Sequence, residues 1–308
     1  MKHVALVIFY YMANSKQIGE TKMNKKCSCK NIHKDILGTI GNTPVVELCH
    51  LTKKHGLEGR IYAKLDYLNP GLSKKDRIAK YMIEQMEKSG KLKKGQTVIE
   101  QTSGNTGISL ALVCAIKGYP FVAVMSEGNS IERVMRMKWF GAKVEIVPKV
   151  IKDTAGVTSE DYYAVKQRFE ELADELGAVK VGQFYNELNP EAHYKTTATE
   201  ILNQLPDLDA FCDFMGTNGT FAGIAKKLKE KNPSVKCIMV EPSEKSHVIQ
   251  GGGYNTGDYV FIKNEFSDET INVSSEQAIQ WMKELALTEG IAGGISSGAS
   301  HMVKGQPR

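Results

Sequence analysis

Two short stretches carry the residue types and spacing for chemistry: Asn69-Pro-Gly-Leu-Ser-Lys-Lys-Asp-Arg77 and Thr102-Ser-Gly-Asn-Thr-Gly107. Both are turn-forming breaks, rich in glycine and hydroxyl groups, between apolar strand-like runs and amphipathic helical runs. A loop of this kind leaves backbone N–H groups open at a helix start, where the helix dipole adds positive potential. The first loop ends by presenting Lys74 and Lys75 at that start. An amine held there, partly out of water, suits a carbonyl-bearing cofactor or an anionic substrate. A third stretch, Met215-Gly-Thr-Asn-Gly-Thr-Phe-Ala-Gly223, also follows a strand-like run and opens a helix. Its glycines let the backbone close on an anion. It is not G-x-G-x-x-G, because Asn218 follows Thr217 where a dinucleotide fold wants a second glycine. No Gly-Lys-Ser/Thr follows, so it is no P-loop either. On these residues alone, a compact phosphate site and a ligand-free turn both remain open.

The elements that must position these loops alternate along the chain. Strand patterns fall at Val45–Leu48, Arg60–Leu65, Thr97–Glu100, Phe121–Met125, Lys143–Val147, Phe211–Met215 and Val235–Val240, and Lys180–Phe184 reads as extended. Helical spacing runs over Asp76–Ser89, Ile108–Lys117, Ser130–Phe140, Glu160–Leu176, Pro190–Leu205, from the 216–220 turn through Lys231, and over Ser275–Glu289. Strand, turn and helix in alternation predict an α/β fold with mostly parallel strands. Ligands of such sheets sit outside the carboxyl ends of the strands, where the loops at 69–75, 102–107 and 216–220 all lie.

At 308 residues the chain is long enough for one or two domains with a large core. A net charge of +5, from 40 basic and 35 acidic residues interspersed along the chain, argues against a nucleic-acid partner. The apolar run Val4–Met12 is too short to span a bilayer, so no membrane partner is expected. It lacks the n-region and cleavage site of an export signal and reads as an upstream extension or a mis-set start. Of six cysteines only Cys27 and Cys29 lie close together, with no zinc spacing and no disulfide framework, which points to the cytoplasm and to no metal. The polar, lysine-rich stretch that follows makes 1–34 a mobile tail, with order beginning near Asp35.

In this order and spacing, the landmarks Ile40-Gly-Asn-Thr-Pro44, Asn69–Arg77, Thr102–Gly107, Ser130-Ile-Glu-Arg133, Gln183-Phe, Asn189-Pro, Gly216–Thr220, Val240-Glu-Pro242 and Glu289-Gly-Ile…Gly294-Ile-Ser-Ser-Gly298 resemble the cysteine synthase and cystathionine β-synthase family. The resemblance runs from about Ile36 to Ala299. It implies a pyridoxal 5′-phosphate (PLP) enzyme of fold type II: an α/β chain with two doubly wound domains of the tryptophan synthase β-like type and the cofactor in the cleft between them. Residues 35–75 plus 181–308 would form the large cofactor-binding domain and 76–180 the small, closing one. By the same resemblance, Lys75 forms the Schiff base, Gly216, Thr217, Asn218, Gly219 and Thr220 form the phosphate cup, Ser296 meets the ring nitrogen, and Asn105 bonds the 3′ oxygen. Thr102, Ser103, Gly104 and Thr106, helped by Gln183, would grip the substrate carboxylate. A hydroxyl at the ring nitrogen leaves the cofactor a moderate electron sink, suited to β-elimination and β-replacement. A small amino-acid substrate and a homodimer are implied.

Departures from the family pattern bear on the reaction. Lys74 stands where an apolar residue is usual, and it reads as a solvent-facing cation, although two adjacent ammonium groups would also depress each other's pKa. Leu72 replaces a glycine, as does Asn218. Tyr254 follows the cystathionine β-synthase pattern, whereas Asp258 is unusual: it either holds water against the substrate or is a solvated turn residue before a strand at Tyr259–Ile262. These features favour L-cysteine plus water going to hydrogen sulfide plus L-serine. The alternatives are a cysteine synthase using O-acetylserine and sulfide, a cystathionine-type synthase, and an inactive relative. The family pattern continues past Gly298 with a helix and a strand, and Ser300–Arg308 does not look like that helix.

Overall fold

Continuous apolar runs become buried parallel strands, and the amphipathic runs become the helices that cover them. In the computed structural model, residues 32–302 are described apart from Ser103, 153–156, 245–246, 250–251, 253–259 and 262–265. The tail expected over 1–34 therefore lies almost wholly outside the described residues. In chain order the elements are β1 (Val45–Glu47), α1 (Cys49–Lys54), β2 (Tyr62–Lys64), α2 (Lys75–Lys88), β3 (Val98–Gln101), α3 (Asn105–Lys117), β4 (Phe121–Ser126), α4 (Ile131–Trp139), β5 (Lys143–Val147) and α5 (Ser159–Leu176). They continue with β6 (Val179–Lys180), α6 (Leu188–Lys195), α7 (Thr197–Gln204), β7 (Ala210–Phe214), α8 (Gly219–Lys231), β8 (Lys236–Pro242), β9 (Glu269–Val273), α9 (Ser275–Glu289) and α10 (Ile295–Met302).

Two parallel sheets carry the fold. The first has the order β5-β4-β3-β6 and the second β7-β8-β9, while β1 and β2 pair antiparallel by themselves. Every residue of β3 and β4 is buried, as strands covered on both faces require. The alternation is clean. Val98, Ala123 and Met125 pack with α2, α3 and α4, while Ile99, Val122 and Val124 pack on Val165, Phe169 and Ala173 of α5. The second sheet is sandwiched likewise: Cys237 and Met239 meet Ile201, Phe221, Ile224 and Leu228, and Phe214, Val240 and Val273 meet Ala278 and Ala299. This is the α/β, parallel-sheet fold expected. No described helix is long and apolar enough to cross a membrane.

Several local expectations change. The run Pro190–Leu205 is broken at Thr196, where α6 ends and α7 begins. Of the stretch Lys180–Phe184 expected to be extended, only Lys180 pairs as a strand, together with Val179 before it, because Gly182 turns the chain with φ +75°. Val260 and Phe261 lie in a turn rather than a strand, and the third strand of the second sheet is β9 instead. Helix α10 covers Ile295–Met302, including Ser300, which read as non-helical. Its sequence has three serines and a glycine in eight residues, so the signal for a helix is weak, and packing decides. A Cβ on Gly298 would lie 2.1 Å from the Ala278 carbonyl oxygen, so glycine lets α10 press against α9.

A buried ion network ties these elements together below the lysine-bearing loop. Arg77 donates to Asp66 (2.8 and 2.9 Å), to Glu200 (2.6 and 2.8 Å) and to the Thr43 hydroxyl (3.0 Å). Lys64 adds a bond to Glu200 at 2.7 Å. Burial alone would raise the Glu200 carboxyl, but Arg77 and Lys64 overcome it and hold it down to about 2. Its contribution is therefore complete above the ordinary carboxylate range and fades as pH falls towards about 2. Replacing Glu200 by glutamine leaves Arg77 buried with one carboxylate and is expected to lower stability by about 3 kcal/mol near neutral pH. Denaturant midpoints measured from neutral pH into acid will also show a flatter acid limb for Glu200→Gln than for the parent.

Candidate active site

The first loop is held by its own helix. Asp76, the second residue of α2, accepts from the Gly71 N–H at 2.5 Å and from the buried Ser109 hydroxyl of α3. Burial raises its pKa, and the bonds to Ser109 and Gly71 work against that rise. Arg136 of α4 donates to the Gly71 carbonyl at 3.1 Å. Leu72 takes φ +63°, a left-handed backbone for a residue other than glycine, and stays exposed. The loop thus delivers Lys75 to the first position of α2, with its side chain in a cavity of about 570 Å³.

The Lys75 amine makes no hydrogen bond or ion pair among the described residues. Burial, then the neighbouring Lys74, push it down to about 8, against the opposing pull of Asp213 and Glu100. An amine at that level is substantially uncharged at slightly alkaline pH, as a nucleophile or base must be. Lys74 does not face solvent freely as expected. Its Nζ meets both carboxylate oxygens of Asp213 on β7 at 2.6 Å.

Opposite, Met215 leads into the glycine-rich turn. Asn218 sits at the cap of α8 with φ +66°, a conformation asparagine accepts better than most residues. Its side chain makes no cap bond, and the N–H groups of Thr220 and Phe221 have no acceptor among the described residues. Behind this turn a neutral histidine is locked in place. His193 Nε2 lies 3.1 Å from the Thr220 hydroxyl and Nδ1 lies 2.9 Å from that of Thr197. Burial, then Lys74, Lys75 and Arg77, hold His193 far below the usual imidazole range. Asn189 braces the turn from α6 by donating to the Thr217 hydroxyl (3.0 Å) and the Gln183 carbonyl (2.8 Å).

The second loop is organised by its own side chains. The Thr102 hydroxyl oxygen accepts from the Gly104 and Gly107 N–H groups, both at 3.0 Å. The Thr106 hydroxyl donates to Gln183 Oε1 at 2.6 Å, and Gln183 Nε2 donates to the Gln101 carbonyl at 2.8 Å. These groups hold the loop, leaving the N–H groups of Asn105 and Thr106 without acceptors among the described residues. Gly104 has φ +139°, and a Cβ there would strike Arg133 of α4 at 2.2 Å.

Lys75, Thr102, Asn105, Thr106, Gln183, Gly216, Thr217, Asn218, Thr220 and Ser296 all line this one cavity. Gly219 begins α8 behind it, and Gly104 caps α3 beside it. Ser103, Tyr254 and Asp258 lie outside the described residues. Three neighbours escaped the sequence reading: Asp213, Glu100 and His193. Glu100 is buried at the end of β3, accepts from the Gly182 N–H at 2.7 Å, and is pushed up to about 8 by burial. Asp213 had left a signal, as an acidic residue inside the apolar strand Phe211-Cys-Asp-Phe214.

The sequence matches the family described as "Pyridoxal-phosphate dependent enzyme" over residues 36–303. The chain belongs to this family. It is 39% identical over 280 residues to a cysteine synthase of Staphylococcus aureus, covering 86% of each chain. Its structure is similar to that of a hydrogen sulfide-producing enzyme from Fusobacterium nucleatum, with TM-score 0.81 and 39% identity over 88% of this chain and 91% of that one. It is also similar to an O-acetylserine-dependent cystathionine β-synthase from Helicobacter pylori, with TM-score 0.81 and 35% identity over 88% of this chain and 89% of that one. The protein is thus a fold type II, PLP-dependent enzyme of sulfur amino-acid metabolism.

The side chains of this PLP enzyme fit the cofactor. Among the described residues the depressed amine has no partner, which suits the aldehyde, the N–H groups at the start of α8 have no acceptor, which suits a phosphate dianion, and the Ser296 hydroxyl has no bond, which suits a neutral ring nitrogen. Replacing Gly104 by alanine strains the second loop and displaces Arg133. The variant is expected to keep its cofactor absorbance while the KM for the amino acid rises about tenfold or more, read by steady-state kinetics.

Proposed function

We propose that the enzyme converts L-cysteine and water into hydrogen sulfide and L-serine. Lys75 holds the cofactor, and its freed amine takes the proton from Cα of the bound amino acid. The Cβ–S bond breaks, sulfide leaves with a proton, water forms the Cβ–O bond, and the Cα proton is returned; no net oxidation occurs. PLP, when bound, supplies the electron sink that makes the Cα proton labile. The substrate carboxylate is taken by the open N–H groups of Asn105 and Thr106 at the positive end of α3, with Thr102, Ser103, Gly104, Thr106 and Gln183 shaping that loop. Asn105 bonds the 3′ oxygen, Gly216–Thr220 take the phosphate, and Ser296 faces the ring nitrogen. On sequence grounds alone, Tyr254 is assigned to substrate binding and Asp258 to orienting the attacking water. Residues 76–180 act as the closing part, and the working form is a cytoplasmic homodimer, which light scattering would test for assembly.

The observation that carries this reading is the half-buried Lys75, whose amine is lowered to about 8 and has no partner among the described residues, in the same cavity as the α8 turn. The sulfide-releasing direction is supported by the likeness to the Fusobacterium nucleatum enzyme. A second reading, synthesis of cysteine from O-acetylserine and sulfide, is favoured by an equal identity, 39%, to the Staphylococcus aureus enzyme.

Product analysis separates the two. With cysteine alone, serine and sulfide are expected in equal amounts. Negligible turnover of cysteine beside rapid cysteine formation from O-acetylserine and sulfide would transfer the protein to the synthases. Lys75→Ala is expected to lose turnover by about a thousandfold or more and to lose covalent cofactor attachment. In Asp258→Asn, serine should fall about tenfold or more while pyruvate release continues; an equal fall in both would make Asp258 a structural residue.

A further inference from the structure

The start of α2 is an unfavourable place for Lys74. It occupies the cap position, where a side-chain acceptor is preferred, and it makes no cap bond. A cation there opposes the helix dipole and lies beside a second amine. Leu72, two residues earlier, is in a left-handed conformation, so the loop needs holding contacts beyond its own backbone. Asp76 and Arg136 hold its Gly71 end, and a further contact, at Lys74, comes from the other sheet. Asp213 on β7, three residues before Gly216 at the start of the turn, chelates Lys74 Nζ with both oxygens at 2.6 Å. Both side chains are partly shielded, with 32% and 18% of their surface exposed, and both line the cavity.

We propose that Lys74 and Asp213 form a positioning pair for Lys75, joining the lysine-bearing loop to the strand that enters the glycine-rich turn and setting a balanced positive and negative charge beside the reactive amine. The inference rests on the reading of Lys75 as the cofactor-bearing residue. The pair gives Lys75 a means of control distinct from burial. Lys74 disfavours protonation of Lys75 and Asp213 favours it, so removing either member unbalances the amine in opposite directions. The other groups facing this region are Glu100 from β3, His193 from α6, and Asp76 and Arg77 on α2 itself. A simple brace between two loops would give no such opposition of sign.

The test uses the full-length chain, stripped of cofactor and offered pyridoxal phosphate across a pH series. The readout is visible absorbance of the lysine-bound cofactor, with borohydride fixation and peptide mapping on Lys75. Capture needs the uncharged amine, so its midpoint follows Lys75 and is expected near pH 8 in the parent. Glu100 titrates in the same window, so the chains are compared with one another. Lys74→Met should raise the midpoint by about half a unit or more, and Asp213→Asn should lower it by a similar amount. The double variant should return to within about 0.3 unit, and Lys74→Arg should match the parent. Shifts of the same sign, or no shift in either single variant, overturn the pair. If Asp213→Asn fails to fold, Lys74→Met against the parent and Lys74→Arg decides alone. A Lys75→Ala chain that still fixes the cofactor would instead overturn the assignment of Lys75, whatever the pair does.

Discussion

An amine must remain available without a charge at the positive end of a helix, inside protein, where no described group bonds it. That requirement governs the architecture around Lys75. Burial depresses the amine, and burial of a lysine is unfavourable unless the surroundings are fixed independently of it. The fixing is done by ionic groups one residue to either side and beyond. Lys74 is paired to Asp213, Asp76 is bonded to Gly71 and Ser109, and Arg77 is enclosed by Asp66 and Glu200. Of four consecutive ionisable residues, three are bound and Lys75 has no partner among the described residues.

The two sheets make this possible because their strands are parallel and covered on both faces. Helices must then begin just beyond the carboxyl ends of the strands, and each beginning brings unpaired N–H groups to the same side. α3 follows β3 and α8 follows β7, so two anion-attracting helix ends open on one cavity with Lys75 at a third. Neutral His193 behind Thr220 is consistent with that electrostatics. Burial, then the basic side chains of Lys74, Lys75 and Arg77 nearby, keep it uncharged, so it orders hydroxyl groups without adding charge to the cup.

The sequence made the chemistry-bearing loops legible because turn residues and helix starts are local signals. Lys75, the glycine-rich turn and the Thr102 loop could be named from it, and the α/β alternation followed from period and punctuation. What could not be read depended on contacts distant in sequence. Lys74 passed for a surface cation because Asp213 lies 139 residues away. Helix α10 went unseen because its glycine is a packing choice made against α9. Strand β9 has an exposed, polar pattern and belongs to the second sheet only through pairing with β8. The break at Thr196 also escaped, since its neighbours on both sides keep helical spacing.

The residues gathered in the cavity also explain why substrate choice is hard to read from them. An amine for the aldehyde, N–H groups for a phosphate and N–H groups for a carboxylate serve any β-substituted alanine. They involve the cofactor and Cα, which all such substrates share. Even Thr102 and Gln183, polar residues in the cavity wall, are occupied in holding their own loop. Discrimination between a thiol and an acetate leaving group, or between water and sulfide as the nucleophile, must come from groups that meet Cβ. A hydrogen sulfide-producing enzyme and an O-acetylserine-dependent cystathionine β-synthase can therefore both share a TM-score of 0.81 with this chain. The common framework sets what kind of bond can be broken at Cβ, and only the few residues on that side of the substrate decide which group leaves and which enters.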